Sequence, residues 1–274
     1  MRKKVNEYLD IKTVLFKSQN VLLLRTSSIE QKSKTAFIIC EGSSLSIDEL
    51  NIPYKWDPYL KVPNKREYKR TLDGDIIMMY FPFECKGLED AGRDLSYYIN
   101  ENMYSYDNIV IIGHSKAGVC IANMARMITR KAIFIFVSAP FEGTIINGTE
   151  KVKAMLSNKE YQIFRKYYTQ HAVDLDVWPK SSFLKNVADF SGIKKHFCVN
   201  VISECKDIYT CKDIVFKYFA ARMGYKHSDG LVLVSSQESL TQMYPLLKTV
   251  YIDASHAESL KRLLSANRDD YIID

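Results

Sequence analysis

The stretch that decides the fold reads Asn108-Ile109-Val110-Ile111-Ile112-Gly113-His114-Ser115-Lys116-Ala117-Gly118. Its apolar first half is typical of a buried strand. Apolar or small residues then recur at the spacing of an amphipathic helix, at Ala117, Cys120, Ile121, Met124, Ala125 and Ile128. A strand that turns sharply into a helix around one serine is the setting of a nucleophile elbow, in which Gly113 and Ala117 leave room for two backbones. The stretch therefore predicts Ser115 as a nucleophile, and a plain turn between a strand and a helix is the alternative.

The composition is that of an ordinary globular protein. Of the 274 residues, 47% are hydrophobic and 26% are charged, and the formal net charge is +6. This positive excess is spread along the chain, so it permits contact with nucleic acid or an anionic membrane surface without indicating either. We therefore expect no nucleic-acid partner.

The cysteines indicate neither a metal site nor a redox motif. They are scattered, and none forms a Cys-x-x-Cys pair; their positions are Cys40, Cys85, Cys120, Cys198, Cys205 and Cys211. Reduced thiols buried in a core are the expected state. The sequence predicts no cofactor.

The N-terminus predicts a cytoplasmic protein. Met1-Arg2-Lys3-Lys4 resembles the basic start of a signal peptide, but polar residues interrupt the apolar segment that should follow, at Asn6, Glu7, Asp10 and Lys12. No apolar run approaches the ~20 residues of a membrane-spanning helix.

Short apolar strands alternate with helical patterns along the chain, which indicates a mainly parallel sheet covered by helices on both faces. The predicted strands are Tyr8–Phe16, Val21–Arg25, Ala36–Cys40, Ile76–Phe83, Asn108–Ile112, Ala132–Val137, Phe197–Ile202 and Thr249–Ile252. No repeat or flexible linker separates them. We therefore expect one α/β domain over residues 1–274.

Two segments break this alternation. Residues 145–195 are rich in aromatic and long apolar side chains without a clear strand, so they predict two short helices that form a lid or simply add packing. Residues 45–72 carry a basic cluster of Lys61, Lys65, Arg66, Lys69 and Arg70. A solvated loop is the ordinary interpretation of such a cluster, and a site for an anionic head group is the alternative.

A serine nucleophile needs a base, and the base needs an acid that orients it. His256 is the one histidine that follows the final predicted strand, in a loop from which it could reach the elbow. Asp229 lies in a turn with Gly230 and is the preferred acid. Asp207 is the alternative, because it lies nearer the end of the strand 197–202.

Four short segments resemble the α/β-hydrolase lipases and esterases, most closely the bacterial triacylglycerol lipases. They are Gly113-His114-Ser115-Lys116-Ala117-Gly118, Ala139-Pro140-Phe141-Glu142-Gly143-Thr144, Ser228-Asp229-Gly230-Leu231-Val232 and the late His256. The third segment is the most specific and favours Asp229 over Asp207. Two departures concern the substrate class: Lys116 and Ala117 replace the commoner residues after the serine, and Phe141 stands where the family has a histidine.

The resemblance implies an α/β-hydrolase fold and a serine esterase or lipase that acts on a small-molecule or lipid acyl ester. Ser115 would be the nucleophile, Asp229 the acid and His256 the base. The backbone N–H groups of Lys116 and of the Gly42-Ser43 region would form the oxyanion hole. Some relatives bind calcium, but only Glu258 lies near a ligand position, so no metal is predicted.

Two further functions remain open at this stage. A thioesterase or acyltransferase would use the same three residues and would differ in leaving group or acceptor. A non-catalytic α/β-hydrolase-like binding protein would use the basic loop and the long insertion as interaction surfaces. The presence of all three residue types in the expected order favours the hydrolase.

Overall fold

The computed structural model describes residues 13–25, 34–45, 72–82, 84–144, 175–178, 180–206 and 227–265. Eight strands form one sheet in the order β1-β2-β4-β3-β5-β6-β7-β8. They are β1 Thr13–Lys17, β2 Leu22–Arg25, β3 Thr35–Leu45, β4 Asp75–Pro82, β5 Asn108–His114, β6 Ile133–Val137, β7 Phe197–Glu204 and β8 Lys248–Asp253. The described helices are α1 Leu88–Asn102, α2 Lys116–Met124, α3 Val234–Met243 and α4 His256–Ser265.

The sheet is parallel from β4 to β8, and the β1–β2 hairpin is added to it in antiparallel orientation. Strand β2 pairs with β4 antiparallel, whereas β3 pairs in parallel with both β4 and β5. Strands β5 to β8 continue the parallel pairing. Because the carboxyl ends of parallel strands meet at one edge, the segments that follow β5, β7 and β8 come together there.

Two apolar layers cover the sheet, as a doubly covered parallel sheet requires. One layer joins Ile38, Ile111 and Phe136 of the sheet to α1 and α2. The other joins Ile39 and Val201 to the inward face of α4, where Leu260, Leu263 and Leu264 are buried. The predicted α/β sheet covered on both faces is confirmed.

Two local predictions differ from the structure. Helix α2 was expected to be amphipathic, but every residue from Lys116 to Met124 is buried, because α2 packs against the sheet, α1 and the segment 191–195. Strand β3 was expected to end at Cys40, but it continues to Leu45 after a register shift against β4. Glu41 and Gly42 therefore belong to strand β3.

The two irregular segments lie largely outside the described residues. The described part of the expected lid contains two short helical turns, Phe183–Val187 and Ser191–Lys195. The Thr144 N–H group donates to the carbonyl of Val177 at 3.0 Å, which closes the base of the insertion. The basic cluster of residues 61–70 and the alternative acid Asp207 are not among the described residues.

No helix in the described part of the chain is long and apolar enough to cross a membrane.

Candidate active site

Ser115 lies in a strained turn between β5 and α2. Its backbone has φ 58° and ψ −133°, a left-handed conformation that non-glycine residues rarely adopt. The Ser115 N–H group donates to the carbonyl of Val137 at 2.9 Å, so the turn is tied to the end of β6. Strain of about 1–3 kcal/mol at such a residue persists only where the surroundings enforce it, as functional sites do.

Glycines allow the close packing that enforces this turn. A Cβ atom at Gly113 would lie 2.8 Å from the carbonyl oxygen of Ala117 and 2.8 Å from the Cα atom of Gly118. A Cβ atom at Gly118 would lie 2.6 Å from the Cβ atom of Ala139. The expectation that strand and helix approach closely at Gly113 is confirmed.

Gly42 of β3 packs directly against Ser115. A Cβ atom at Gly42 would lie 2.7 Å from Ser115 Cβ, 3.3 Å from Ser115 Oγ and 2.9 Å from the carbonyl oxygen of His114. Any side chain would therefore push the strand away from the serine. This contact brings the backbone of β3 to the side of the Ser115 hydroxyl.

Asp229 and His256 form a buried hydrogen-bonded pair. The Asp229 Oδ2 atom lies 2.7 Å from His256 Nδ1, and the two residues are 0% and 7% exposed. The backbone N–H group of His256 also donates to the carbonyl of Asp229 at 2.9 Å. His256 was expected in a loop, but it is the first residue of α4 and is held at its side chain and its backbone.

The turn around Asp229 provides donors to both carboxylate oxygens. The N–H groups of Leu231 and Val232 donate to Oδ1 at 2.9 and 2.8 Å. The hydroxyl of Ser203 donates to Oδ2 at 2.9 Å. Gly230 has φ 103°, which turns the chain back so that these N–H groups face the carboxylate. These donors hold the carboxyl group in place, with Oδ2 directed at His256 Nδ1.

His114 connects the elbow to the base. Its Nε2 atom lies 2.9 Å from the carbonyl oxygen of His256, and the two rings have centroids 4.8 Å apart. Burial, together with the neighbouring His256, lowers the pKa of His114 to about 3. His114 is therefore neutral at ordinary pH and donates through Nε2, which places the residue before Ser115 beside the backbone of His256.

Two ionisable side chains adjoin the elbow. Lys116 is buried, with its Nζ atom 5.8 Å from the ring centre of Phe81, a cation–π distance. Burial raises the pKa of Glu41, which precedes Gly42 in β3, to about 7.

Phe141 packs against Phe136 and Phe190, with ring centres 5.9 and 5.4 Å away, so the position where the family has a histidine is part of the apolar core here.

Sequence reasoning missed three buried serines behind the Asp229–His256 pair: Ser138, Ser203 and Ser259 are each 0% exposed. Ser203 donates to Asp229, and Ser259 donates to the carbonyl of His256. The available signal was Ser203 in the mostly apolar strand β7, Phe197–Glu204, whose other buried polar residue is Asn200. A buried polar residue in a strand must find a hydrogen-bond partner, and here that partner is Asp229.

Within the described ranges, no cluster of three or more His, Cys, Asp or Glu residues could hold a metal ion. The Glu258 carboxylate accepts a hydrogen bond from the Ser255 hydroxyl at 3.0 Å, an arrangement that begins helix α4. Glu258, the third residue of α4, thus has a structural role at the start of this helix.

Solved lipase and esterase structures share this architecture. No family model matches the sequence, and no curated protein sequence matches it. The mature lipase BlEst2 of Bacillus licheniformis superposes with a TM-score of 0.59 at 12% identity, over 89% of this chain and 94% of that one. A lipase-esterase related protein of Clostridium acetobutylicum has a TM-score of 0.50 at 13% identity, over 89% and 96%. The Pyrococcus furiosus esterase Pf2001 has a TM-score of 0.50 at 12% identity, over 88% and 81%.

The chain therefore has the α/β-hydrolase fold. The resemblance to α/β-hydrolase lipases and esterases, which four short segments predicted, is confirmed at the level of the fold.

Proposed function

We propose that this protein is a serine hydrolase of the carboxylesterase or lipase type, which cleaves an acyl ester through Ser115, His256 and Asp229. The observation that carries the proposal is the buried 2.7 Å hydrogen bond between Asp229 Oδ2 and His256 Nδ1. A carboxylate at Nδ1 keeps the proton there and leaves Nε2 as a base. The fold, and the description of its structural neighbours as lipases and esterases, support the class.

In the proposed reaction, Ser115 Oγ attacks the acyl carbonyl while His256 Nε2 takes the hydroxyl proton. His256 then gives this proton to the leaving alcohol, and an acyl-enzyme forms on Ser115. A water molecule, deprotonated by His256, releases the acid and restores the serine. Asp229 stabilises the imidazolium in both steps and stays ionised.

The oxyanion would be held by backbone N–H groups. Lys116 provides the first N–H of helix α2, where the helix dipole also favours negative charge. One N–H group of the Gly42-Ser43 region of strand β3 would be the second, and the close approach of Gly42 to Ser115 supports this assignment. Each donor contributes about 3 kcal/mol in characterised oxyanion holes.

The first experiment is labelling with a fluorophosphonate probe, read by intact mass. Wild type should gain one adduct, and Ser115→Ala should gain none. Ser239→Ala is the matched control, because Ser239 is a buried serine that donates to the Ser236 carbonyl of its own helix. It should label like wild type.

No adduct on folded wild type, also with detergent present, would contradict the proposal and favour a non-catalytic binding protein. An adduct that persists in Ser115→Ala would assign the nucleophile elsewhere. A panel of esters and thioesters of different chain length then separates an esterase from a thioesterase or acyltransferase.

A further inference from the structure

Three buried serines and the Asp229–His256 pair form a closed ring of hydrogen bonds. The Ser203 hydroxyl lies 2.9 Å from Asp229 Oδ2 and 2.6 Å from the Ser138 hydroxyl. Ser138 donates to Ser259 at 2.7 Å, and Ser259 donates to the His256 carbonyl at 3.0 Å. The Asp229–His256 hydrogen bond of 2.7 Å closes the ring.

The ring has fewer hydroxyl protons than contacts. Its three hydroxyls supply one proton each, whereas the serines make four contacts, counting those to Asp229 and His256. Ser259 donates its hydroxyl proton to the His256 carbonyl, and Ser138 donates its hydroxyl proton to Ser259. The single proton of Ser203 must therefore serve two acceptors, Asp229 Oδ2 and Ser138 Oγ.

We propose that Ser138 and Ser203 are positioning residues that set, by sharing one proton, how strongly Asp229 holds the imidazole N–H of His256. The proposal rests on the proposed function, in which that hydrogen bond orients the base. Ser138 contacts neither Asp229 nor His256 in the ring. Besides donating to Ser259, it competes with Asp229 for the proton of Ser203.

This competition predicts opposite effects for two neighbouring serines. Ser203→Ala removes a donor from Asp229, so the carboxylate accepts more strongly from His256 and stabilises the imidazolium. Ser138→Ala removes the competing acceptor, so the Ser203 proton moves wholly to Asp229 and the imidazolium is less stabilised. A water molecule in place of the Ser138 hydroxyl would bring two protons of its own, so the same redistribution is expected.

Among the described residues, the other titratable groups that face the pair or adjoin it are His114 on β5, Lys116 on α2, Glu204 on β7, His227 beside the Asp229 turn, Asp253 on β8 and Glu258 on α4. The serine variants replace none of these groups. His227 pairs with Glu204 at 2.7 Å, and Asp253 accepts from the Lys206 N–H group at 3.2 Å. A shift in the titration of the pair is thus assigned to the serines.

The test measures kcat/KM against pH for a soluble short-chain ester in wild type, Ser203→Ala and Ser138→Ala. The midpoint of the acid limb should move up in Ser203→Ala and down in Ser138→Ala, each by about 0.5 pH unit. Ser239→Ala, which replaces a buried serine whose hydroxyl donates to the Ser236 carbonyl and not to the ring, should leave it unchanged. Ser138→Gly, which tolerates the φ of 52° at that position, and Ser203→Cys, which keeps a weak donor, replace an alanine variant that fails to fold.

Shifts in the same direction, or loss of rate at every pH with no shift, would overturn the proposal and leave the serines a structural role. The imidazole NMR signals of His256, followed against pH in the same variants and assigned with His256→Gln, test the ring without catalysis. If wild type has no activity but the signals shift in opposite directions, the proposed function fails and the proton-sharing ring stands.

Discussion

The role of Asp229 depends on which atom of His256 carries the proton. Asp229→Asn keeps the size of the side chain but can direct an amide N–H group at His256 Nδ1. The imidazole proton is then expected on Nε2, which can no longer act as the base. We expect turnover to fall about 10⁴-fold while the fold is retained, because removal of the carboxylate in known triads has an effect of that size. Steady-state kinetics and circular dichroism measure the two quantities.

The matched control for Asp229→Asn is Asp253→Asn. Asp253 is also an acid beside the site, at the end of β8, and it accepts from the Lys206 N–H group at 3.2 Å. Its replacement should change turnover by less than about tenfold. If Asp229→Asn also lost less than tenfold, the acid would have to be another residue, with Asp207 the first alternative.

The carboxyl of Glu41 couples the stability of the protein to pH. Burial raises the pKa of Glu41 from 4.5 to about 7, so the folded state binds this proton more tightly than the unfolded state. Its contribution to stability is fully present below about pH 4.5 and is lost as the pH rises through about 7. Glu41→Gln removes this loss. The free energy of unfolding of the variant, relative to wild type, should therefore rise by up to about 3 kcal/mol between about pH 5 and about pH 8.

Urea unfolding at several pH values measures this difference. Glu101→Gln on α1 is the control, because it makes the same replacement at an exposed position. Parallel curves for Glu41→Gln and wild type would contradict a half-buried Glu41 with a pKa of about 7.

At the scale of the element, the approach of β3 to the elbow determines the geometry of the site. A Cβ atom at Gly42 would lie 2.7 Å from Ser115 Cβ, so Gly42→Ala must displace the strand or the serine. Displacements near 1 Å at a reacting group reduce rates about 100-fold. We expect the rate of fluorophosphonate labelling to fall by about that factor.

Gly74→Ala is the matched control for Gly42→Ala. A Cβ atom at Gly74 would lie 2.6 Å from the carbonyl oxygen of Thr35, which is an equally close contact, but at the amino end of β4. This variant should lower the melting temperature and keep the labelling rate. Equal labelling rates in the two variants would mean that β3 does not position the serine.

Individual elements could be predicted where the local pattern and the tertiary environment agree. Strand β5 and helix α2 were expected around Ser115 because a buried strand and a helix have distinct periods. The burial of α2 on all sides could not be predicted, because it depends on the packing of α1 and residues 191–195 around it. The continuation of β3 past Cys40 depends on pairing with Phe81 and Pro82 of β4, which no local pattern reveals.

At the scale of the whole molecule, the sheet could be predicted but the surroundings of the acid could not. Alternating strands and helices indicate a parallel sheet, and such a sheet gathers the ends of its strands at one edge. The serines around Asp229 come from the end of β6, from β7 and from α4. Their contacts depend on the register of strands far apart in the sequence, so no spacing along the chain could predict them.

The cysteines of the described core report on opening of the whole molecule. Cys40 on β3 and Cys120 on α2 are 0% exposed in the apolar layer between the sheet and the helices α1 and α2, and burial raises the pKa of both thiols far above the ordinary range. Alkylation requires the thiolate, so these residues should react only when the core opens. The rates at which iodoacetamide alkylates them, measured by peptide mass spectrometry, should therefore rise with urea in parallel with global unfolding.

Ser191→Cys, at an exposed position, is the control and should react at once in the folded protein. Rapid alkylation of Cys120 without urea would mean that α2 separates from the sheet locally, and the strained turn at Ser115 would then not be held by a rigid core.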